Sequence, residues 1–198
     1  MHAYLITCLM AMALAGTALA ERLDDATAAY NNGDYASAMR LLLPLAADGN
    51  RAAQYNLGMM YNEGKGVPQD SAEAIIWLRK AADQGDVEAQ YDLGFIYRHG
   101  RGVPQNDAEA AKWYRQAAAQ GNAIAQFNLG FMYGNGEGMP QNFVEAYRWF
   151  TLAAAQLPAA DSFNREKAIR NRDVLAREMT PGQIAAAQKL VRDWKPPK

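Results

Sequence analysis

The sequence predicts an all-α protein, a solenoid of antiparallel helix pairs with C-terminal capping helices. One observation is a period of 36 residues that recurs three times without a gap. A second is that apolar residues within each copy are spaced three and four positions apart, as on one face of a helix. The chain has 198 residues, half of them hydrophobic by type, which is enough for a sizeable core.

The first twenty residues have the features of a secretory signal peptide. Residues 3–20 contain no charged side chain and end in the small-x-small cleavage pattern Ala18-Leu19-Ala20, which the acidic Glu21 follows at once. No Lys or Arg precedes the apolar run, so a retained membrane anchor is the alternative. We expect cleavage after Ala20 and a periplasmic or secreted protein. The single cysteine, Cys8, would leave with the signal peptide, so no disulfide is expected.

Three copies of the repeat occupy residues 50–157. Fifteen of the 36 columns are identical in all three copies. The copies span residues 50–85, 86–121 and 122–157.

The segments on either side of the repeats are predicted to be helical as well. Residues 21–49 form a degenerate helix pair, in which Leu41 falls in the column of the repeated tryptophan. Residues 158–198 are predicted to form C-terminal capping helices, which close the exposed face of a solenoid. The last of these begins at Thr180, with Pro181 at the first helical position.

The first helix of each copy, helix A, begins at an Asn or Asp N-cap that follows a glycine. Its Ala, Leu-Gly and Tyr residues recur at spacings that place them on one face. Glycine inside a helix costs about 1 kcal/mol relative to alanine. Because it nevertheless recurs at the same position in all three copies, we expect a neighbouring helix to approach closely there. These stripe residues are Ala53, Leu57, Gly58 and Tyr61; Ala89, Leu93, Gly94 and Tyr97; and Ala125, Leu129, Gly130 and Tyr133.

The second helix, helix B, follows a loop with two glycines and a Pro-Gln pair. Each copy has Asp or Asn at the N-cap and Glu three residues later, a capping-box pattern: Asp70 and Glu73, Asn106 and Glu109, Asn142 and Glu145. Helix B is predicted to bury a small residue, a tryptophan and two alanines in each copy, because close helix packing alternates very large and very small side chains. The tryptophans are Trp77, Trp113 and Trp149.

These motifs resemble the Sel1-like repeat family, relatives of the tetratricopeptide repeats. The resemblance rests on Ala-Gln-Tyr-Asn-Leu-Gly at 53–58, Gly-Lys-Gly-Val-Pro-Gln-Asp at 64–70 and Ala-Ala-Asp-Gln-Gly at 81–85, and the other copies match as closely. It implies a right-handed α-solenoid whose A helices line the concave surface. It also implies an adaptor that binds protein partners in assembly, envelope processes, signalling or host contact.

The residue inventory argues against catalysis. Beyond the signal peptide the chain has one histidine, His99, in a column that differs between copies, and it has no Gly-x-Ser-x-Gly motif. We expect no catalytic residue, no metal site and no cofactor. The two-glycine loops carry Lys65, Arg101 and Glu137 at one position, so we interpret them as turns rather than phosphate cradles. A net charge of −1 predicts no nucleic-acid partner, and membrane contact is expected only through an uncleaved signal.

The candidate binding residues come from the concave-face positions that the resemblance implies. Three pairs, Tyr55–Met59, Tyr91–Phe95 and Phe127–Phe131, have the i,i+4 spacing of neighbours on a helix. Stacked repeats would align them as an aromatic ladder that binds a protein or peptide partner. The alternative is that these side chains belong to the core between repeats. The full candidate set is Tyr55, Met59, Tyr91, Phe95, Arg98, Phe127 and Phe131.

Two other functions remain open at this point. Some cysteine-rich Sel1-like proteins hydrolyse or bind penicillin-type compounds, but their repeats carry paired cysteines that this sequence lacks. A cell-wall polysaccharide binder is the other alternative, because aromatic faces suit sugar stacking.

Overall fold

The computed structural model describes residues 20–196, and the regular structure within this range is α-helical. This range divides into two compact units between Asp86 and Val87. The predicted signal peptide, including Cys8 and all but its last residue, lies outside the described residues, so its cleavage and the resulting location stay predictions. Within residues 20–196, no helix is long and apolar enough to span a membrane.

The helices of the described range follow one another with short connections. The first unit contains α1 (residues 20–31), α2 (Tyr35–Ala47), α3 (Arg51–Glu63) and α4 (Ser71–Asp83). The second unit contains α5 (Val87–His99), α6 (Asp107–Ala119), α7 (Ala123–Asn135), α8 (Phe143–Gln156), α9 (Ser162–Glu178) and α10 (Pro181–Asp193). The A helices of the repeats are therefore α3, α5 and α7, and the B helices are α4, α6 and α8.

Helices adjacent in sequence pack in pairs. The A and B helices of each copy pack together, and α2 also packs on α3 and α6 on α7. The prediction of an all-α fold of paired helices, consistent with a Sel1-like repeat solenoid, is confirmed. The predicted division at residues 20, 49 and 157 stays a prediction.

The glycines inside the A helices lie where a helix B side chain comes closest, as the repeat predicted. A methyl group placed on any of the three repeated glycines would press on a large apolar side chain of the paired helix B. The resulting distances are 2.8 Å to Leu78 Cγ from Gly58, 2.6 Å to Tyr114 Cδ1 from Gly94, and 3.0 Å to Phe150 Cδ1 from Gly130. Glycine at this column therefore allows the two helices to approach closely.

The capping-box prediction for helix B is half right. The side chains of Asn106 and Asn142 accept the expected hydrogen bonds from the backbone N–H groups of Glu109 and Glu145. The backbone N–H of Asn106 does not need the Glu109 carboxylate, because it donates instead to the carbonyl of Tyr97 at 2.9 Å. The same bond recurs from Asp70 to Tyr61 and from Asn142 to Tyr133. Helix B is thus tied to the end of helix A by the backbone.

The predicted burial of the tryptophans holds in the second unit and is wrong in the first. Trp113 and Trp149 are buried. Trp77 is only half-buried, and the Lys80 ammonium stands 3.9 Å above its ring centroid. That contact is a cation–π pair, which leaves part of the indole in solvent.

The C-terminal helices pack on the last repeat as predicted, since α9 and α10 both contact α8. Thr180 and Gln183 form a reciprocal capping box, with Pro181 in the first turn of α10. The apolar residues of α9 are not all buried, however. Phe163 is 64% exposed and Val174 51% exposed, whereas Ala168 is fully buried.

Candidate functional site

A pair of glutamine side chains, of which the A-helix member is buried, holds each A helix against the end of its helix B. In the first unit, Gln84 Nε2 donates to Gln54 Oε1 at 2.7 Å, and Gln54 Nε2 donates to the Ala46 carbonyl at 3.0 Å. In the second unit, Gln120 donates to Gln90 at 2.8 Å and Gln156 to Gln126 at 3.2 Å. The sequence analysis missed this role, although both glutamine columns are identical in all three copies.

The first column of the predicted ladder is partly core. Tyr91 and Phe127 are half-buried and pack against helix B rings. The centroid distance is 6.0 Å from Tyr91 to Tyr114 and 5.5 Å from Phe127 to Phe150. These two candidates therefore contribute to packing within the second unit, whatever else they contact.

The second column contains the one exposed residue of the ladder. Phe131 is 37% exposed. Phe95 is half-buried, and its ring stacks on His99 at 4.2 Å and under the Arg101 guanidinium at 4.5 Å. Met59, the corresponding residue of the first unit, is half-buried. Phe131 is thus the exposed member of this column.

Arg98 fixes the relative positions of α5 and the loop after α7. Its Nη2 atom lies 2.9 Å from Glu137 Oε2, and its guanidinium carbon lies 5.0 Å from the centroid of the Phe131 ring. The Nη1 atom is buried without a hydrogen-bond partner. Arg98 therefore holds Phe131 beside α5, while Glu137 balances its charge.

A cavity of about 170 Å³ opens beside Phe131 in the second unit. It lies between α7, α8 and α9 and combines apolar side chains with two side-chain amides. Its lining consists of Phe131, Gly134, Asn135, Phe150, Asn171, Val174 and Leu175. Of these residues the sequence predicted only Phe131 as a site residue, because α9 lies outside the repeats and its register against α7 is set by packing.

A cleft of about 280 Å³ opens in the first unit between α1, α2 and α3. Tyr55 and Met59, both predicted candidates, lie in it. The remaining lining residues are Ala26, Thr27, Tyr30, Asn31, Leu42, Asn56 and Glu63. The sequence did not predict the four lining residues of α1, because that helix belongs to the degenerate segment, where the repeat columns no longer align.

A hydrogen-bonded cluster stands at the rim of this cleft. Lys65 Nζ lies 2.7 Å from Tyr30 Oη and 2.7 Å from Glu63 Oε2, and the Tyr30 hydroxyl donates to Glu63 Oε2 at 3.1 Å. The hydrogen bonds to Glu63 and then to Tyr30 raise the pKa of Lys65, so this ammonium stays charged at neutral pH.

The lone histidine beyond the predicted signal peptide and two of the repeated glutamates have structural partners. His99 is the last residue of α5, and its Nδ1 atom lies 2.9 Å from the Phe95 carbonyl, one turn earlier. Glu109 pairs with Lys112 at 3.9 Å, and Glu145 pairs with Arg148 at 3.2 Å. In residues 20–196, no three His, Cys, Asp or Glu side chains are grouped so as to hold a metal ion.

Comparison with known proteins agrees with the repeat geometry. The Sel1 repeat model matches residues 51–86, 87–122 and 123–156. Each match begins one residue after the copy defined by internal identity. Sel1 repeats are typically non-catalytic, and no enzyme family is matched. Among curated proteins, no sequence matches the chain significantly.

Two solved bacterial structures are similar to the chain. A Sel1 repeat protein from Oxalobacter formigenes is 37% identical, with a TM-score of 0.57, and the match covers 64% of this chain and 95% of that one. The protective antigen c5321 of uropathogenic Escherichia coli, which has the same repeat fold, is 27% identical, with a TM-score of 0.55. That match covers 80% of this chain but only 40% of the antigen.

Proposed function

Because the chain belongs to the Sel1 repeat family, we propose that it is a non-enzymatic scaffold that binds a protein or peptide partner on the exposed faces of its A helices. The observation that carries this proposal is the setting of Phe131. Its ring is 37% exposed, it borders a cavity, and Arg98 holds it from the side. An exposed, immobilised aromatic ring beside a cavity is typical of the anchor positions of protein interfaces.

The size of the two cavities favours a macromolecular partner over a small-molecule ligand. Pockets for drug-sized molecules enclose roughly 300–1,000 Å³. The cavities here measure about 170 and 280 Å³. Each is suited to receive one or two side chains of a partner that lies across the helix surface. The amides of Asn135 and Asn171 can donate to and accept from a peptide backbone in the second unit.

Residues 1–20 support a site of action in the bacterial envelope or outside the cell. Their uncharged run and small-x-small ending are typical of a cleaved export signal. Mass determination of the protein recovered from its native cell tests this part of the proposal: a chain beginning at Glu21 supports it, and an intact Met1 end contradicts it.

Alanine substitution tests the binding face. Phe131→Ala is expected to leave the thermal melting transition nearly unchanged and to lower the amount of native partner that the purified chain retains from an envelope extract. Phe163→Ala is the matched control, since this ring is more exposed but does not line the cavity. If Phe131→Ala and Phe95→Ala unfold the chain, the core interpretation is right. If they leave both folding and partner retention intact, the A-helix face is not the binding surface.

A further inference from the structure

The cleft of the first unit has the chemistry of a cation site. Its lining residues include two tyrosines, Tyr30 and Tyr55, together with Met59 and the acidic Glu63. Aromatic faces attract ammonium and guanidinium groups through the negative potential above the ring, and a nearby carboxylate adds to that attraction. Two tyrosines with one acidic residue therefore favour a positively charged occupant over a neutral one.

Two of these groups, Tyr30 and Glu63, already hold a cation of the chain itself. The Lys65 ammonium lies 4.8 Å from the Tyr30 ring centroid and 5.6 Å from that of Tyr35. The same nitrogen lies 2.7 Å from Glu63 Oε2. Lys65 is not among the residues that line the cleft, so it reaches Tyr30 and Glu63 from outside. An ammonium is thus held at the rim, while the interior of the cleft stays open.

The net charge of the first unit also favours a positively charged occupant. Residues 20–86 carry ten Asp and Glu against six Lys and Arg, a net charge of −4. At the amino end of α1, Glu21, Asp24 and Asp25 outnumber Arg22. A surface of this sign speeds the approach of a basic segment and disfavours an acidic one.

We propose that this cleft binds an arginine or lysine side chain of a basic peptide segment, and that Lys65 competes with that side chain for Glu63. This inference rests on the proposed scaffold function and assigns a partner chemistry to its first unit. The incoming cation lies between the Tyr30 and Tyr55 rings and takes over the Glu63 carboxylate. Lys65 then turns toward solvent, which its rim position permits, since its side chain is 35% exposed.

A pair of peptides that differ only in charge tests the occupant. The probes are acetyl-Gly-Gly-Arg-Gly-Gly-amide and the same peptide with citrulline, the neutral isostere of arginine. Each is titrated into the full chain to millimolar concentration while the methyl resonance of Met59 is followed by NMR. We expect the arginine peptide to shift this resonance and to bind roughly 3- to 10-fold more tightly than the citrulline peptide. Equal binding of the two peptides, or no shift of Met59 with either, would overturn the proposal.

Three variants test the competition. Glu63→Gln is expected to weaken arginine-peptide binding several-fold, whereas Lys65→Gln is expected to strengthen it, because the internal competitor is gone. Asp83→Asn is the matched control: it removes one negative charge from the same unit at an exposed position outside the cleft, and little change is expected. Weaker binding by Lys65→Gln would contradict the competition.

These outcomes separate the cation site from the scaffold function. If both peptides bind equally and Phe131→Ala still loses the native partner, the scaffold function stands and the cation preference is wrong. If the arginine peptide shifts Met59 but Phe131→Ala retains the native partner, the cation site stands and the proposed A-helix face is wrong for the second unit.

Discussion

The Gln84 side chain donates a hydrogen bond of 2.7 Å to the side chain of Gln54, and an equivalent pair occurs in each of the other two repeats. Gln54 is 4% exposed and also donates to the Ala46 carbonyl. This one side chain therefore links helix α3 to the helix before it and to the helix after it. A buried polar group with both partners in place stabilises one arrangement of the helices, and its removal takes one hydrogen bond from each partner.

Gln54→Leu is expected to lower the free energy of unfolding by about 1–3 kcal/mol, because two hydrogen bonds are lost, one to the Ala46 carbonyl and one from the Gln84 amide. Gln69→Leu is the control. Gln69 is identical in all three copies as well, but it is exposed and donates only to the Asn62 carbonyl at 2.8 Å, so a loss under about 1 kcal/mol is expected. Urea unfolding measures both. Equal losses of free energy would show that the buried Gln54 has no special role.

Gly94→Ala is expected to destabilise the second unit although alanine is the better helix former. The added methyl group would lie 2.6 Å from Tyr114 Cδ1, and such overpacking costs about 1–3 kcal/mol. Gly134→Ala tests the effect of helix propensity without overpacking. Its nearest neighbour would be Ala146 Cβ at 3.8 Å, an ordinary contact, so this variant is expected to gain up to about 1 kcal/mol. Thermal melting of the two variants should therefore shift in opposite directions.

Tyr114→Phe is expected to raise the free energy of unfolding by about 1 kcal/mol, because the buried hydroxyl of Tyr114 has no hydrogen-bond partner. Phe150 occupies the same column in the next repeat, so a phenylalanine ring fits there. Tyr133→Phe is the control: its hydroxyl accepts from Arg115 at 3.2 Å, and no gain is expected. A loss of stability in Tyr114→Phe would indicate that the hydroxyl has a partner in solution.

The same residue predicts a pH dependence. Burial raises the pKa of Tyr114 above its ordinary value near 10. The unfolded chain therefore releases this proton at a lower pH than the folded chain does. The stability that the protonated Tyr114 hydroxyl contributes through this pKa difference is fully present below about pH 10. It is lost as the pH rises toward the folded-state pKa of Tyr114. Unfolding free energies measured on either side of pH 10 should fall more steeply for the native protein than for Tyr114→Phe.

Internal repetition made much of the fold predictable. Gly58, Gly94 and Gly130 indicated close helix approach, and the Asn and Asp residues indicated N-caps, because each rule applies within one helix or one helix pair. The predicted role of Glu109 was only half right, since the Tyr97 carbonyl satisfies the N–H that Glu109 was expected to cap.

The parts of the site that escaped prediction depend on contacts between distant helices. Lys65 and Glu137 occupy one loop column with opposite charges, and each is matched by a residue at the end of an earlier helix, Tyr30 and Arg98 respectively. A comparison of the repeat columns does not predict these two contacts. The cleft of the first unit and the cavity beside Phe131 likewise depend on how α1 and α9, which lie outside the repeats, pack on their neighbours.

Photocrosslinking in the native cell tests the proposed binding face most directly. Benzoyl-phenylalanine at position 131 preserves the aromatic ring beside the cavity, and the same group in place of Lys112 probes an exposed position of helix α6. We expect irradiation to give a discrete protein adduct from position 131 and none from position 112. An absence of adduct at position 131, or the same adduct from both positions, would contradict the proposal that the A-helix face binds the partner.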